Sequence, residues 1–120
     1  MLHGEVFMKK IININLYKDD RLQEEYKDIL AIVDKESYKF KLNDVTTVIS
    51  NRYFQRETEE YKFKIDFINN EASFYLKTHK QLLPIEIEEL SFQKTEKDLT
   101  VIYKIATDEE KFKIYIEEKG

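Results

Sequence analysis

The chain has no cysteine and no tryptophan, and only one proline and two glycines among 120 residues. Without cysteine there is no disulfide framework and no thiolate to serve as nucleophile or metal ligand. The glycines are Gly4 and Gly120, so no glycine-rich loop is present to wrap a phosphate, and a nucleotide hydrolase is not expected. Histidine is nearly as scarce. His3 and His79 fall in a leader and a loop, which predicts two solvated side chains and not a metal pair. Ser37, Ser50, Ser73 and Ser91 each lack a nearby histidine or a nucleophile-elbow context. No motif asks for a cofactor, and no enzyme chemistry is expected. There is also no apolar stretch long enough to span a bilayer, and no apolar run precedes a small-residue cleavage site, so a cytoplasmic protein without membrane insertion is expected.

What is present is an even mixture of charge and apolar bulk. Charged residues make up 37% and hydrophobic ones 42%, too apolar for disorder and too charged for a membrane protein, which predicts a soluble domain. The net charge of −4 is small and its signs are interleaved, so neither nucleic acid nor an anionic membrane finds a landing surface. The length suits one domain: residues 1–8 read as an irregular leader and residues 9–120 as the folded unit. With so little glycine and proline, the turns must come from Asn, Asp and Glu-Lys clusters.

The second half of the chain sets the architecture. Tyr61, Phe63, Ile65 and Phe67 alternate with Lys62, Lys64 and Asp66, the period of a strand with one buried and one wetted face. A two-residue loop at Asn69 and Asn70 would place Phe67 opposite Ala72, Ile65 opposite Phe74 and Phe63 opposite Leu76. A turn at Asp108 and Glu109 would likewise set Ile105 against Phe112, Tyr103 against Ile114 and Val101 against Ile116. Between these hairpins Leu83, Ile85 and Ile87 share one parity while Leu90 and Phe92 share the other, which predicts a β-bulge at Glu88 and Glu89. A turn at Glu96 and Lys97 sets Phe92 against Val101, and Pro84 is expected near the start of its strand.

The first half is less regular. Ile12, Ile14 and Leu16 mark a first strand from Lys9 to Tyr17, followed by a polar connection, Lys18 to Gln23. In the next segment Leu22, Tyr26, Ile29, Leu30 and Val33 have helical spacing, with a helix as the alternative, whereas the continuous apolar run Ile29 to Val33 favours a strand. A turn at Asp34 to Ser37 leads into Tyr38, Phe40 and Leu42. The β-branched segment Asp44 to Ser50 follows, and then Arg52, Phe54 and Arg56 on one face.

The order of these pieces resembles a bacterial family of unknown function, the YwiB-like proteins, which are small calycin-like β-barrels. The stretches that carry the likeness are DVTTVIS, the strand ending in Arg56, YKFKIDF, LPIEIEELSF, and LTVIYKI before a last acidic hairpin. Thr58 stands where the family often has glycine, two residues after an arginine. The resemblance implies a strand for Glu24 to Val33 and an all-β, single antiparallel barrel of about eight to ten strands, with at most one short helix in the N-terminal third. It implies no activity.

A barrel of this size either fills with side chains or holds one small ligand. The inward parity is rich in aromatics: Tyr38, Phe40, Phe54, Tyr61, Phe63, Phe67, Phe74, Phe92, Tyr103 and Phe112. Aromatic stripes at strand spacing are ordinary core. Ligand binding needs polar handles in an apolar space, and Arg56, Tyr38, Tyr61 and Tyr103 share that parity. Calycin-type carriers hold fatty acids in this way, with a buried guanidinium and hydroxyls on the acid head, so the expected ligand is small and apolar or acidic and lipophilic. In a plain scaffold Arg56 would pair with a glutamate such as Glu57 or Glu89, or point out to solvent, and the interior would be filled. The other class is an interaction module with a filled core, acting through its outer face. There Ile102 and Tyr115 are expected opposite each other, with Tyr17 and Tyr75 also outward, a surface that could serve a homodimer.

Overall fold

A computed structural model describes residues 8–34 and 37–119. Positions 1–7 of the expected leader, His3 among them, lie outside the described residues, and Met8 already belongs to the first strand.

Eleven antiparallel strands make a single sheet: β1 (Met8–Lys18), β2 (Arg21–Val33), β3 (Ser37–Leu42), β4 (Val45–Ser50), β5 (Tyr53–Glu57), β6 (Tyr61–Asp66), β7 (Glu71–Leu76), β8 (Gln81–Ile85), β9 (Ile87–Lys94), β10 (Asp98–Ile105) and β11 (Lys111–Glu118). No helix occurs among the described residues, and the strand count is one above the expected range. The sheet runs β8-β7-β6-β5-β4-β3-β2-β1-β11-β10-β9. Its two end strands are consecutive in the chain, separated by Glu86 alone. One bent segment therefore pairs with β7 through its first half and with β10 through its second, and draws the sheet into a nearly closed barrel. The bend carries the expected bulge, since Lys104 pairs with Glu89 and Ile105 with Ile87, leaving Glu88 unmatched. Pro84 is the fourth residue of β8, not an early one. It is tolerated because β8 is an end strand that ladders on one side only.

β2 explains its own ambiguity. Ile12 pairs with Ile29 and Ile14 with Tyr26, so Asn13 faces two residues, Lys27 and Asp28. Asp28 is in the left-handed region (φ 58°) and its N–H donates to Asn13 Oδ1 at 3.0 Å. A second irregularity leaves Gln23 unmatched between Glu24 and Leu22. Each bulge breaks the period of two, so inward residues of a strand acquire the three-residue spacing of a helix. The expected connection Lys18 to Gln23 shrinks to a two-residue turn at Asp19 and Asp20, with φ of 51° and 63°, the positive pair that a type I′ hairpin needs.

Two hairpin registers differ from expectation, each by two residues. The observed pairs are Ile65 with Ala72 and Phe63 with Phe74, and, in the last hairpin, Tyr103 with Phe112 and Val101 with Ile114. In the first case the loop is longer because Asp66 Oδ1 accepts from the N–H groups of Ile68 and Asn69, and only Asn70 is left-handed (φ 55°). In the second, Asp108 N–H donates to Ile105 O and Asp108 Oδ1 accepts from Glu110 N–H, which again lengthens the loop. A shift of two keeps every side chain on its own face, so the core survives the error. The turn at Glu96 and Lys97 places Phe92 opposite Val101 as expected.

The interior is closed by Ile12, Ile14, Tyr38, Ile49, Phe54, Ile65, Leu99, Val101 and Ile116, all fully buried. At about 1.5–3 kcal/mol for each buried aliphatic or phenylalanine side chain, these residues dominate the favourable side of folding. Aromatic rings bridge the barrel from opposite walls: Phe54 and Phe63 lie 5.9 and 6.1 Å from Tyr103, and Phe67 lies 5.1 Å from Phe92.

Candidate functional site: a cavity beside an unpaired strand edge

The wall of the barrel is incomplete at one place. β2 and β3 pair only through Ile32 with Lys39 and Val33 with Tyr38. Beyond these, Arg21 to Ala31 on β2 and Phe40 to Leu42 on β3 have no ladder to each other. Bulges bend a strand and can end its pairing on one side, and β2 has two in this stretch. The strands diverge, and a cavity of about 250 Å³ lies between and beneath them. Glu24 and Tyr26 line it from β2, and Phe40 and Leu42 from β3. Ile14, Leu16, Phe54 and Phe112 supply apolar wall, while Arg56, Tyr103 and Thr47 add polar groups.

Arg56 reaches the cavity from β5, where it sits between Thr47 of β4 and Phe63 of β6. Among the described residues its guanidinium makes no ion pair and no side-chain hydrogen bond. The glutamates that a plain scaffold would have offered it are taken. Lys77 Nζ holds Glu57 at 2.6 Å, and Lys111 Nζ holds Glu89 at 2.9 Å. Arg56 thus presents to the cavity a guanidinium with no direct partner among the described residues, in a space that Glu24 also lines.

Tyr103 faces the same space from β10. It is 7% exposed, packs against Phe54, Phe63 and Phe112, and its hydroxyl has no partner among the described residues. Burial pushes its phenol up to about 12, opposed by the positive field of Arg56. Tyr26 is raised too, first by the hydrogen bond it gives to Glu24 and then by desolvation, and Arg56 again opposes the rise. Arg56 thus acts electrostatically on a tyrosine at each side of the cavity. Among the four residues expected at the site, the structure brings Arg56 and Tyr103 together.

Tyr38 and Tyr61 do not line this cavity. Tyr38 is fully buried on β3 and donates its hydroxyl to the carboxylate of Glu118, which also accepts from Lys10 Nζ at 2.7 Å. Burial, then the Glu118 hydrogen bond, raises the phenol far above its usual value. Burial alone would raise Glu118 as well, but its hydrogen bonds from Lys10 and Tyr38 outweigh this and hold its carboxyl below the usual range. Glu118 is therefore a structural pin and not the solvated charge that its neighbour Glu117 would suggest. Tyr61 is half-buried and stacks on Phe74, ring centroids 5.0 Å apart.

The site residues that sequence reasoning missed are Glu24, Tyr26 and Thr47. Thr47 was accessible in principle, since it shares parity with Ile49. Glu24 and Tyr26 were hidden by the bulges of β2. On the outer face, Ile102 pairs with Lys113 and Tyr115 with Thr100, so the expected apolar pair is not formed. Tyr115 instead donates towards Asp98 and Glu117. Among the described residues no three acidic, histidine or cysteine side chains gather as a metal site, and no helix is long and apolar enough to cross a membrane.

The fold and this wall define an antiparallel, nearly closed β-barrel with a small side cavity. No protein-family model matches the chain, and no curated protein sequence matches it significantly. Among solved structures it is similar to the YwiB protein from Bacillus subtilis. The TM-score is 0.53 and the identity 11%, over 93% of this chain and 94% of that one. The chain therefore has a YwiB-like fold.

Proposed function

We propose that this protein is a non-enzymatic binder of a small apolar carboxylic acid, held in the side cavity with its acid group at Arg56 and Tyr103, and that it is a divergent relative of the YwiB-like proteins. One observation carries the binding reading: Arg56 lines the cavity and its guanidinium has no ion-pair or side-chain hydrogen-bond partner among the described residues, while Glu24, the carboxylate in the same lining, accepts from Tyr26. A cation beside apolar walls selects an anion with an apolar body, and Tyr103 adds a hydroxyl donor that burial keeps protonated. The relationship to the YwiB-like proteins is supported by the shared fold and by the order of strand motifs from Asp44 to Glu118.

Displacement of a fluorescent fatty-acid analogue tests the reading. Octanoate and 1-naphthoate are expected to displace it, and octanol to do so far less well. Equal displacement by acid and alcohol would remove Arg56 from the account.

A further inference from the structure

The cleft above the cavity is bordered by strand edges that pair with nothing among the described residues, and this limits what can lie in it. We propose that the cleft between β2 and β3 binds an extended peptide ending in a free carboxylate, its last side chain in the cavity and its main chain paired with β2. The proposal rests on the reading of Arg56 as a carboxylate anchor and adds the class of molecule that bears the carboxylate.

Three observations point to a peptide. An unpaired strand edge presents N–H and C=O groups at the spacing of another strand, and added strands dock on such edges through their main chains. On β2 this edge borders the cavity directly, since Glu24 and Tyr26 line it. Second, at about 250 Å³ the cavity falls below the roughly 300–1,000 Å³ of sites that enclose a drug-sized ligand. One apolar side chain with its carboxylate suits that space, and the rest of the molecule must leave through the cleft. Third, the bulges at Gln23 and at Lys27 and Asp28 confine the regular pairing beside the cavity to Glu24, Glu25 and Tyr26. That stretch takes about three residues of an added strand. Its charges and interruptions resist the long edge-to-edge pairing by which whole chains would stack.

The same residues set specificity. Glu24 puts a carboxylate on the β2 bank of the cavity, so acidic side chains are disfavoured beside it, and an apolar last residue meets Phe40, Leu42 and Phe54.

The test uses the whole chain, isotopically labelled, with a five-residue peptide of alternating serine and valine ending in leucine. The same peptide with an amidated end and octanoate serve as comparisons. The free-acid peptide is expected to bind at least tenfold more tightly than the amide, and Arg56→Leu should abolish that difference. The free-acid peptide, but not octanoate, should slow amide exchange within Glu24 to Tyr26 at least tenfold. If Arg56→Leu fails to fold, the two peptides on the native chain supply the same comparison. Equal binding of acid and amide peptides, or unchanged exchange in β2, overturns the proposal. Octanoate binding that depends on Arg56 without peptide binding overturns the peptide and leaves the small-acid reading standing; failure of both ligands removes both. A concentration-dependent dimer that buries β2 assigns the edge to a second copy of the chain and likewise overturns the peptide.

Discussion

Arg56 and Tyr103 come from strands on opposite sides of the barrel wall and meet at one cavity, and neither has a hydrogen-bond partner among the described residues. Each is stabilised where it stands by the surrounding sheet. The backbone of Arg56 is laddered between Thr47 and Phe63, and the ring of Tyr103 is packed by those of Phe54, Phe63 and Phe112. Folding of the sheet thus brings two polar side chains to the apolar walls of one cavity.

The elevated tyrosines make stability fall at high pH. Tyr103, at about 12, and Tyr38, higher still, are raised above the ordinary phenol value near 10. The unfolded chain therefore loses these protons first, and the stabilisation is complete below about pH 10 and declines as pH rises through 10 towards 12. Absorbance titration at alkaline pH should show a late tyrosine fraction that disappears on denaturation. Tyrosines that all titrate together near pH 10 in the folded protein would contradict the burial described for Tyr103.

Glu118 gives the opposite limb. Its carboxyl is held below the usual range, so its contribution is present above the ordinary glutamate value and lost as pH falls through the depressed one. Glu118→Gln should cost about 1.5–3 kcal/mol at neutral pH, the range for hydrogen bonds to a charged group, and flatten the loss of stability as pH falls below the ordinary glutamate range. Urea unfolding across that range reads both effects.

Phe54 is fully buried and touches both Phe63 and Tyr103. Phe54→Ala should lower stability by about 3–5 kcal/mol and enlarge the cavity beside Arg56. Denaturant midpoints check the first, and tighter binding of bulkier acids relative to octanoate checks the second.

At the tip of the β1–β2 hairpin, Asp20 holds a φ of 63° that glycine adopts without strain, whereas Asp19 is needed because its side chain accepts from Lys111 N–H. Asp20→Gly relieves a left-handed cost of about 1–2 kcal/mol and adds about 0.4–1 kcal/mol of unfolded-chain entropy, so stability should rise by roughly 0.5–1 kcal/mol, measured as a shift in urea midpoint at unchanged slope.

How far the sequence reaches can be read from these same residues. Alternation around Tyr61–Asp66 and Leu99–Ile105 was enough to assign strands and inward faces, because parity depends only on a period of two. Loop length did not follow from parity. Asp66 and Asp108 each recruit backbone N–H groups and lengthen their turns, which moves register by two without moving any residue to the other face. Arg56 and Tyr103 were legible as inward polar residues. Glu24 and Tyr26 were not, since the bulges at Gln23 and Asp28 disguise a strand as a helix, and the cleft that exposes the cavity depends on where β2 stops pairing with β3.

The central claim is that Arg56 holds an acid, and calorimetric titration of octanoate into the wild-type chain and into Arg56→Leu tests it most directly. The account predicts measurable binding to the wild type and a loss of about 1.5–3 kcal/mol in the variant, roughly 10- to 150-fold in affinity, while octanol binds both proteins alike. Octanoate binding of equal strength to both proteins, or none to the wild type, would contradict it.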